Sequence, residues 1–184
     1  MVGFVGNTVY FSEPFFPHAW PLAYALNVPY QIVGLGVYGN GILYVDQPDN
    51  GRGLRYRNIH LGEAYFVENH AGIVDTVYRK FSRTARQLIQ EFGEDKVPEY
   101  IRERAKNAQQ SETKSDVLHC VYPRADRDPT RMDAKGKKFA SLYILTDTQD
   151  LLREGGYDSW PFPVARYTQA PGEVIPIGRP VSNT

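Results

Sequence analysis

The sequence predicts an α+β fold in which an antiparallel sheet, arranged as a meander, has two short helices packed against it. Strand-like alternation of apolar and polar residues runs through 41–81, and the hydrophobic period changes to that of a helix over 83–108. Strand patterns return after 116. Consecutive strands, then a helical pair, then further strands indicate α+β architecture, because βαβ units would alternate strand and helix along the chain.

Four strands are predicted in the first half of the chain, at 41–47, 53–59, 63–69 and 72–81. The first two flank a turn that begins at Pro48, and the last two flank a shorter turn that ends in glycine. Short turns join neighbouring antiparallel strands, so we expect all four strands in one meander sheet.

Two helices follow the strands. Ser82 is expected to cap a helix over 83–92 that ends at Gly93, and Pro98 is expected to open a second helix over 98–108. Arg83 should be exposed on the first helix. The residues expected to be buried there are Leu88, Ile89 and Phe92.

The last third of the chain is predicted to return to strands. These lie at 116–122 and 139–146, and a charged loop over 123–136 joins them. Gly155-Gly156 predicts a turn, and the prolines within 160–167 predict an extended segment.

Composition and charge exclude several classes of protein. The 184 residues include 21 basic and 21 acidic side chains, a balance that disfavours a domain whose main task is gripping nucleic acid. The sequence contains no run of ~20 apolar residues that would predict a membrane span, and the N-terminus lacks the basic region of a signal peptide. A single cysteine, Cys120, excludes an intrachain disulfide and a zinc knuckle, and it fits a reducing cytoplasm.

Residues 1–31 concentrate aromatic side chains and prolines. The prolines prevent one continuous helix, and so many large apolar groups must either dock on the protein or mark an interface. The candidates for self-association are Phe15, Phe16 and Trp20.

Glycines at 34, 36, 39 and 41 suggest a phosphate-binding loop at first sight. Such a loop needs a strand before the glycines and a helix after them, whereas here a strand is predicted to follow. The pattern therefore favours close backbone packing and tight turns.

Catalytic and metal-binding patterns are missing from the sequence. The four histidines have no metal-pair spacing, and the spacing of the carboxylates selects no catalytic pair. His119 and Cys120 are neighbours on a predicted strand, so they point to opposite faces and cannot form a dyad; one of them should be buried. We predict no catalytic residue, no cofactor and no metal.

A basic cluster marks the predicted start of the first helix, where Arg83 and Arg86 would share a face and Arg79 would lie out of register. One interpretation is a solvated face with Asp75 and Glu91 as partners. The other is a contact with another subunit or with phosphate. The cluster consists of Arg79, Lys80, Arg83 and Arg86.

Three groups of segments, in this order and spacing, resemble the portal (head-to-tail connector) proteins of short-tailed bacteriophages. The resemblance covers roughly residues 32–173. The segments are 37–46 (VYGNGILYVD) with 54–57 (LRYR), then 72–81 (GIVDTVYRKF) with 84–87 (TARQ) and 92–93, then 121–124 (VYPR) with 156–157, 160–167 (WPFPVARY) and 172–173.

The resemblance implies a structural virion protein rather than an enzyme, one subunit in a ring of about twelve identical copies at a capsid vertex. DNA would be packaged and ejected through the ring without sequence-specific binding. The partners implied are capsid, terminase and tail adaptor proteins, with assembly in the host cytoplasm and no membrane. The chain then divides into an N-terminal segment of unknown role (1–31), a domain similar to the portal wing (32–173) and a tail (174–184).

The sequence departs from the family pattern after 173, where the family continues into its stem, and residues 1–31 match nothing in it. We therefore expect a truncated portal, from a prophage remnant or an excised domain, that is a monomer or a weak oligomer in isolation. Two alternatives stay open at this point: a small cytoplasmic hydrolase and a ligand-binding adaptor domain.

Overall fold

The computed structural model describes residues 2–5, 8–11, 39–47 and 53–166, with the backbone alone for 2–5 and 8–11. These ranges contain ten strands, two α-helices and two short 3₁₀ turns. The chain divides into two compact units, residues 1–62 with 161–184, and residues 63–160. In chain order the elements are β1 (Val2–Val5), β2 (Thr8–Phe11), β3 (Asn40–Asp46), β4 (Arg55–Ile59), β5 (Ala64–Glu68), β6 (Val74–Thr84), α1 (Ala85–Phe92), α2 (Glu99–Lys106), β7 (Lys114–Pro123), β8 (Phe139–Leu145), β9 (Leu151–Tyr157) and β10 (Val164–Arg166).

The first unit contains two small antiparallel sheets. Strands β1 and β2 pair with each other, a hairpin that the proline-rich composition of 1–31 did not predict. Strand β3 lies between β4 and β10. Next to β10, Pro161 and Pro163 accept hydrogen bonds from the amides of Val45 and Leu43 at 2.8 and 3.1 Å. A proline carbonyl can accept but its nitrogen cannot donate, so these residues suit the edge of a sheet.

The prediction of a single meander through the first four strands was wrong. Strands β3 and β4 belong to the three-stranded sheet, whereas β5 and β6 open a separate five-stranded sheet. A 3₁₀ turn, Leu61–Glu63, stands where a hairpin was expected. Strand β3 takes its second neighbour from β10, more than a hundred residues later, and a local pattern carries no information on such a distant pairing.

The second unit is an antiparallel meander in the order β5-β6-β7-β8-β9, with both helices packed on one face. We call this covered face the inner face. Alternation places every second residue of each strand on it. Leu88 and Phe92 are buried as predicted, whereas Ile89 is only half-buried and Arg83 is half-buried rather than exposed. The core consists of Phe81, Ala85, Leu88, Phe92, Val97, Ile101, Val117, Tyr143, Leu145 and Leu152.

Helix α1 begins later than the sequence suggested. Strand β6 runs through Ser82 to Thr84, and Thr84 is the residue that caps the helix. The Thr84 hydroxyl accepts from the amide of Gln87 at 3.3 Å, and the Gln87 side chain accepts from the amide of Thr84 at 3.0 Å. This reciprocal capping box satisfies two amides at the helix start, which Ser82 could not do from within a strand.

The turn predicted at Gly155-Gly156 is absent, because both glycines lie inside β9, opposite Ser141 and Ala140. A Cβ on Gly156 would come within 2.6 Å of the Lys137 Cβ and 2.8 Å of the Phe139 carbonyl oxygen. Close packing, not a change of chain direction, therefore requires glycine here. Neither described helix has the length and apolar character needed to cross a membrane.

Candidate functional site

Most of the predicted basic cluster lies on a strand rather than on a helix. Arg79, Lys80 and Arg83 belong to β6, and only Arg86 lies in α1. The proposed shared helical face of Arg83 and Arg86 was therefore wrong. Because strand residues alternate between faces, Arg79 and Arg83 lie on the inner side of the sheet with Phe81 between them, and Lys80 lies on the opposite side.

Arg79 and Arg83 both place their guanidinium groups over the ring of Phe81. Their guanidinium carbons lie 4.5 and 4.4 Å from the ring centre, a cation–π arrangement. Arg79 also pairs with Glu63 at 3.0 Å, and Arg83 pairs with Glu91 at 3.2 Å. Both arginines are thus held by their own chain at the margin of the core.

The two acidic partners proposed for this cluster make different contacts in the structure. Glu91 pairs with Arg83, as predicted. Asp75, the other proposed partner, accepts a hydrogen bond from the Thr76 hydroxyl at 3.1 Å. The sequence analysis missed Glu63 as the partner of Arg79, because Glu63 lies 16 residues away, at the end of the 3₁₀ turn before β5.

Lys80 forms a small neutral network on the outer face of the sheet. Its ammonium lies 2.9 Å from the carboxylate of Asp116, which also accepts from the Ser82 hydroxyl at 2.6 Å. The Ser82 hydroxyl and the Lys80 ammonium hold the pKa of Asp116 below its ordinary value, and the bonded Asp116 raises the pKa of Lys80. Both groups are therefore charged at neutral pH and compensate each other.

Arg86 differs from the other three cations. It is exposed on α1, and no carboxylate within the described part of the chain pairs with it. An exposed, uncompensated guanidinium can bind a carboxylate or phosphate from outside through two parallel hydrogen bonds.

An apolar surface crosses the outer face of the five-stranded sheet, and the sequence analysis missed it. We call it the outer stripe and define it as Tyr65, Val67, Tyr78, Leu118, Leu142, Ile144 and Leu151. The strand register places one row from Tyr65 through Tyr78 to Leu142, and a second row from Leu118 through Ile144 to Leu151. Tyr65 is 70% exposed, Leu151 51%, Val67 50% and Tyr78 38%.

A sequence signal for the outer stripe did exist. Strands with one solvated face normally alternate apolar and polar residues, but 64–67 (AYFV) and 140–145 (ASLYIL) are apolar or small throughout. Strands with apolar residues on both faces are usually buried on both faces, whereas α1 and α2 cover only the inner face.

His119 and Cys120 are both buried, whereas only one of them was expected to be. The His119 ring stacks on Tyr143, with centres 3.9 Å apart, and its Nε2 lies 2.9 Å from the Ser141 hydroxyl. Cys120 points to the other face, and burial raises the pKa of its thiol. A protonated, buried thiol is a poor nucleophile, so this pair offers no catalytic dyad.

The remaining candidate sites lie partly outside the described residues. Gly39 has a φ of 73° and leads directly into β3, so no helix opens there to bind phosphate. Gly34 and Gly36 lie outside the described ranges. Within those ranges, no group of three or more histidine, cysteine or acidic side chains is placed to hold a metal ion. The proposed self-association residues Phe15, Phe16 and Trp20 also lie outside them.

Comparison with known proteins identifies the family. Residues 27–181 match the model of the bacteriophage head to tail connecting protein. The chain belongs to this family. It is 35% identical over 143 residues to the portal protein of Salmonella phage epsilon15, a match that covers 77% of this chain and 25% of that protein. It is 30% identical over 142 residues to a probable portal protein of Bordetella phage BPP-1, covering 76% of this chain and 25% of the relative.

The resemblance inferred from the segments in 32–173 is therefore confirmed at the level of the family. The connecting-protein family is named for a structural connection rather than for a reaction, and phage portal proteins are components of the virion. The chain spans about a quarter of the length of these portal relatives.

Proposed function

We propose that the chain is a partial portal subunit that joins a ring of about twelve copies at one capsid vertex, between head and tail. The observation that carries the proposal is the family match over residues 27–181, together with two portal relatives at 35% and 30% identity. DNA packaging and ejection and tail attachment would be the tasks of that ring. Its partners would be capsid, terminase and tail adaptor proteins, met in the host cytoplasm during assembly.

The paired charges of the described residues support a structural role in a channel assembly rather than nucleic-acid binding or hydrolysis. Arg79, Lys80 and Arg83 are each compensated by a carboxylate of the same chain. A surface of internally paired charges gains little from binding a phosphate backbone. The carboxylates Glu63, Glu91 and Asp116 are held in the same pairs, so none of them is left as a general acid or base.

Within this proposal, residues 32–173 form a wing-like domain, 1–31 a segment of unknown role and 174–184 a tail. Arg86 is the member of the basic cluster best placed to contact a neighbouring subunit or a phosphate, because it is exposed and no carboxylate among the described residues pairs with it. Phe15, Phe16 and Trp20 remain proposed self-association groups. Double-stranded DNA would pass the ring without sequence-specific contacts.

Immunogold labelling of phage particles from cells that express the epitope-tagged chain tests the proposal. We expect gold at one vertex of each head, where head and tail meet, and the chain among the virion proteins detected by mass spectrometry. A tag on the major capsid protein serves as the control for a label spread over the whole head. Purified particles that lack the chain, or that carry it over the whole head, would contradict the proposal.

A further inference from the structure

We propose that the outer stripe is the surface through which this chain meets a second copy of itself, with the stripe of one subunit against a different surface of the next. The inference rests on the proposed ring, since a closed ring of more than two copies requires two distinct contact surfaces on each subunit. It adds to that function the residues of one of the two surfaces.

The stripe is continuous across the sheet rather than a set of scattered apolar residues. Directly paired residues on neighbouring antiparallel strands lie on one face with their Cβ atoms about 5 Å apart. The register joins Tyr65 of β5 to Tyr78 of β6, and Leu118 of β7 through Ile144 of β8 to Leu151 of β9. The buried Cys120 of β7 lies between Tyr78 and Leu142. The stripe therefore reaches from one edge of the sheet to the other.

Two of the charged pairs that border the stripe are compensated within the chain. Lys80 pairs with Asp116 at 2.9 Å, and Glu154 pairs with Arg124 at 3.0 Å. A neutral apolar surface with two exposed tyrosines has the composition of a protein interface and lacks the cationic excess that nucleic acid requires. The seven residues of the stripe carry no charge, so a neighbouring subunit needs no opposite charges to cover them.

The face of the sheet is better suited to this contact than its edges. The register shifts between Val67 and Glu68 in β5, and between Tyr143 and Ile144 in β8 beside β9. Such irregularities disrupt the regular ladder that a further strand would extend. A neighbouring subunit would therefore pack its side chains against the stripe rather than continue the sheet.

The exposed area sets the expected strength. From the exposed fractions of its residues, the stripe offers on the order of a few hundred Å² of surface, less than the roughly 800 Å² per partner of a stable interface. A single contact should be weak, with a Kd on the order of 10–100 μM, and several contacts around a ring would reinforce one another.

Sedimentation equilibrium of the purified 184-residue chain, from about 5 to 500 μM, tests the inference. We expect the apparent mass of the wild-type chain to rise with concentration. Tyr65→Lys with Leu151→Lys should raise the Kd at least about tenfold, because two charges would then lose their water within the contact. Met132→Ser is the matched control, since Met132 is 97% exposed but lies in the loop between β7 and β8, away from the stripe. Circular dichroism checks that each variant is folded.

A mixed sample separates the two arrangements of copies. Fluorescence transfer between labelled double variant and labelled wild-type chain should report complexes, because the wild-type stripe can still bind the intact second surface of the variant. A stripe-to-stripe dimer would form no such complexes, which would overturn the proposed arrangement.

The inference fails if the wild-type chain is monomeric throughout this range, or if the double variant and Met132→Ser associate like the wild type. It also fails if both sets of substitutions weaken association equally. Gold at one vertex together with any of these results would leave the connector function standing and remove only the stripe. Association that depends on the stripe, without gold at one vertex, would support the stripe as a contact surface and contradict the connector function.

Discussion

The two faces of the five-stranded sheet are built from the same strands but differ in burial. On the inner face, Phe81 of β6 is buried in the core that α1 and α2 complete, and Val77 of the same strand is also fully buried. On the outer face, Tyr78 of the same strand remains 38% exposed. Complete burial of a large apolar side chain contributes about 1.5–3 kcal/mol to folding, whereas an exposed one contributes little. The inner face therefore accounts for the stability of this unit, and the apolar character of the outer stripe calls for another explanation.

The sharpest test of this difference replaces the same residue type on each face. Leu88→Ala on the inner side should lower the free energy of unfolding by about 2–5 kcal/mol, because Leu88 is completely buried in the core. Leu151→Ala on the outer stripe should change it by less than about 0.5 kcal/mol. Urea denaturation followed by circular dichroism measures both. Similar losses for the two variants would show that the outer face is closed in the isolated chain.

A pair of adjacent glycines tests how tightly β9 packs. Gly156→Ala should destabilise the fold by roughly 1–3 kcal/mol, because its new Cβ would meet the Phe139 carbonyl oxygen at 2.8 Å. Gly155→Ala is the matched control, since the nearest atom to its Cβ, the Ser141 carbonyl oxygen, is 4.0 Å away. Thermal unfolding of both variants should therefore separate them. Equal melting temperatures would contradict the close approach at Gly156.

The junction between β6 and α1 should respond at its cap. Thr84→Ala removes the hydroxyl that accepts from the Gln87 amide, and we expect a loss of about 1 kcal/mol. Ser82→Ala, two residues earlier in the strand, should cost less, since its exposed hydroxyl bonds only Asp116 among the partners described. A larger effect at Ser82 than at Thr84 would contradict the cap at Thr84 and favour Ser82 as the cap of α1, as the sequence suggested.

The smallest effect is expected from the neutral pair on the outer face. Since the pKa of Asp116 is lowered in the folded state, its contribution is present above the unfolded pKa, about 3.9, and is lost as the pH falls through the lower folded value. The stability difference between the wild type and Asp116→Asn should thus be measurable at pH 7 and shrink below pH 4. A difference that stays constant from pH 7 to pH 3 would contradict the stabilisation of the Asp116 carboxylate by Ser82 and Lys80.

The sequence predicted local features well and distant pairings poorly. Strands β3 to β8, the helix start at Pro98 and the Arg83–Glu91 pair depend on neighbours a few residues away. The separation into two sheets depends on β10 pairing with β3, and the Lys80–Asp116 pair depends on the β6–β7 register. Neither leaves a mark in a short window of sequence.

The candidate surface was missed for a related reason. The apolar run at 140–145 predicts a strand but does not say which of its two faces the helices will cover. Only the register, which aligns Ile144 with Leu118 and Leu151, shows that the uncovered positions join into one stripe.

Photo-cross-linking inside assembled particles tests the central claim, that the chain is a connector subunit whose outer stripe faces another copy. A photoreactive phenylalanine analogue replaces Tyr65 in one sample and Met132 in the control, and the products are identified by mass spectrometry. We predict chain-to-chain cross-links from position 65 and none from position 132. Cross-links from position 65 to a different virion protein, or chain-to-chain links from position 132 alone, would contradict the account.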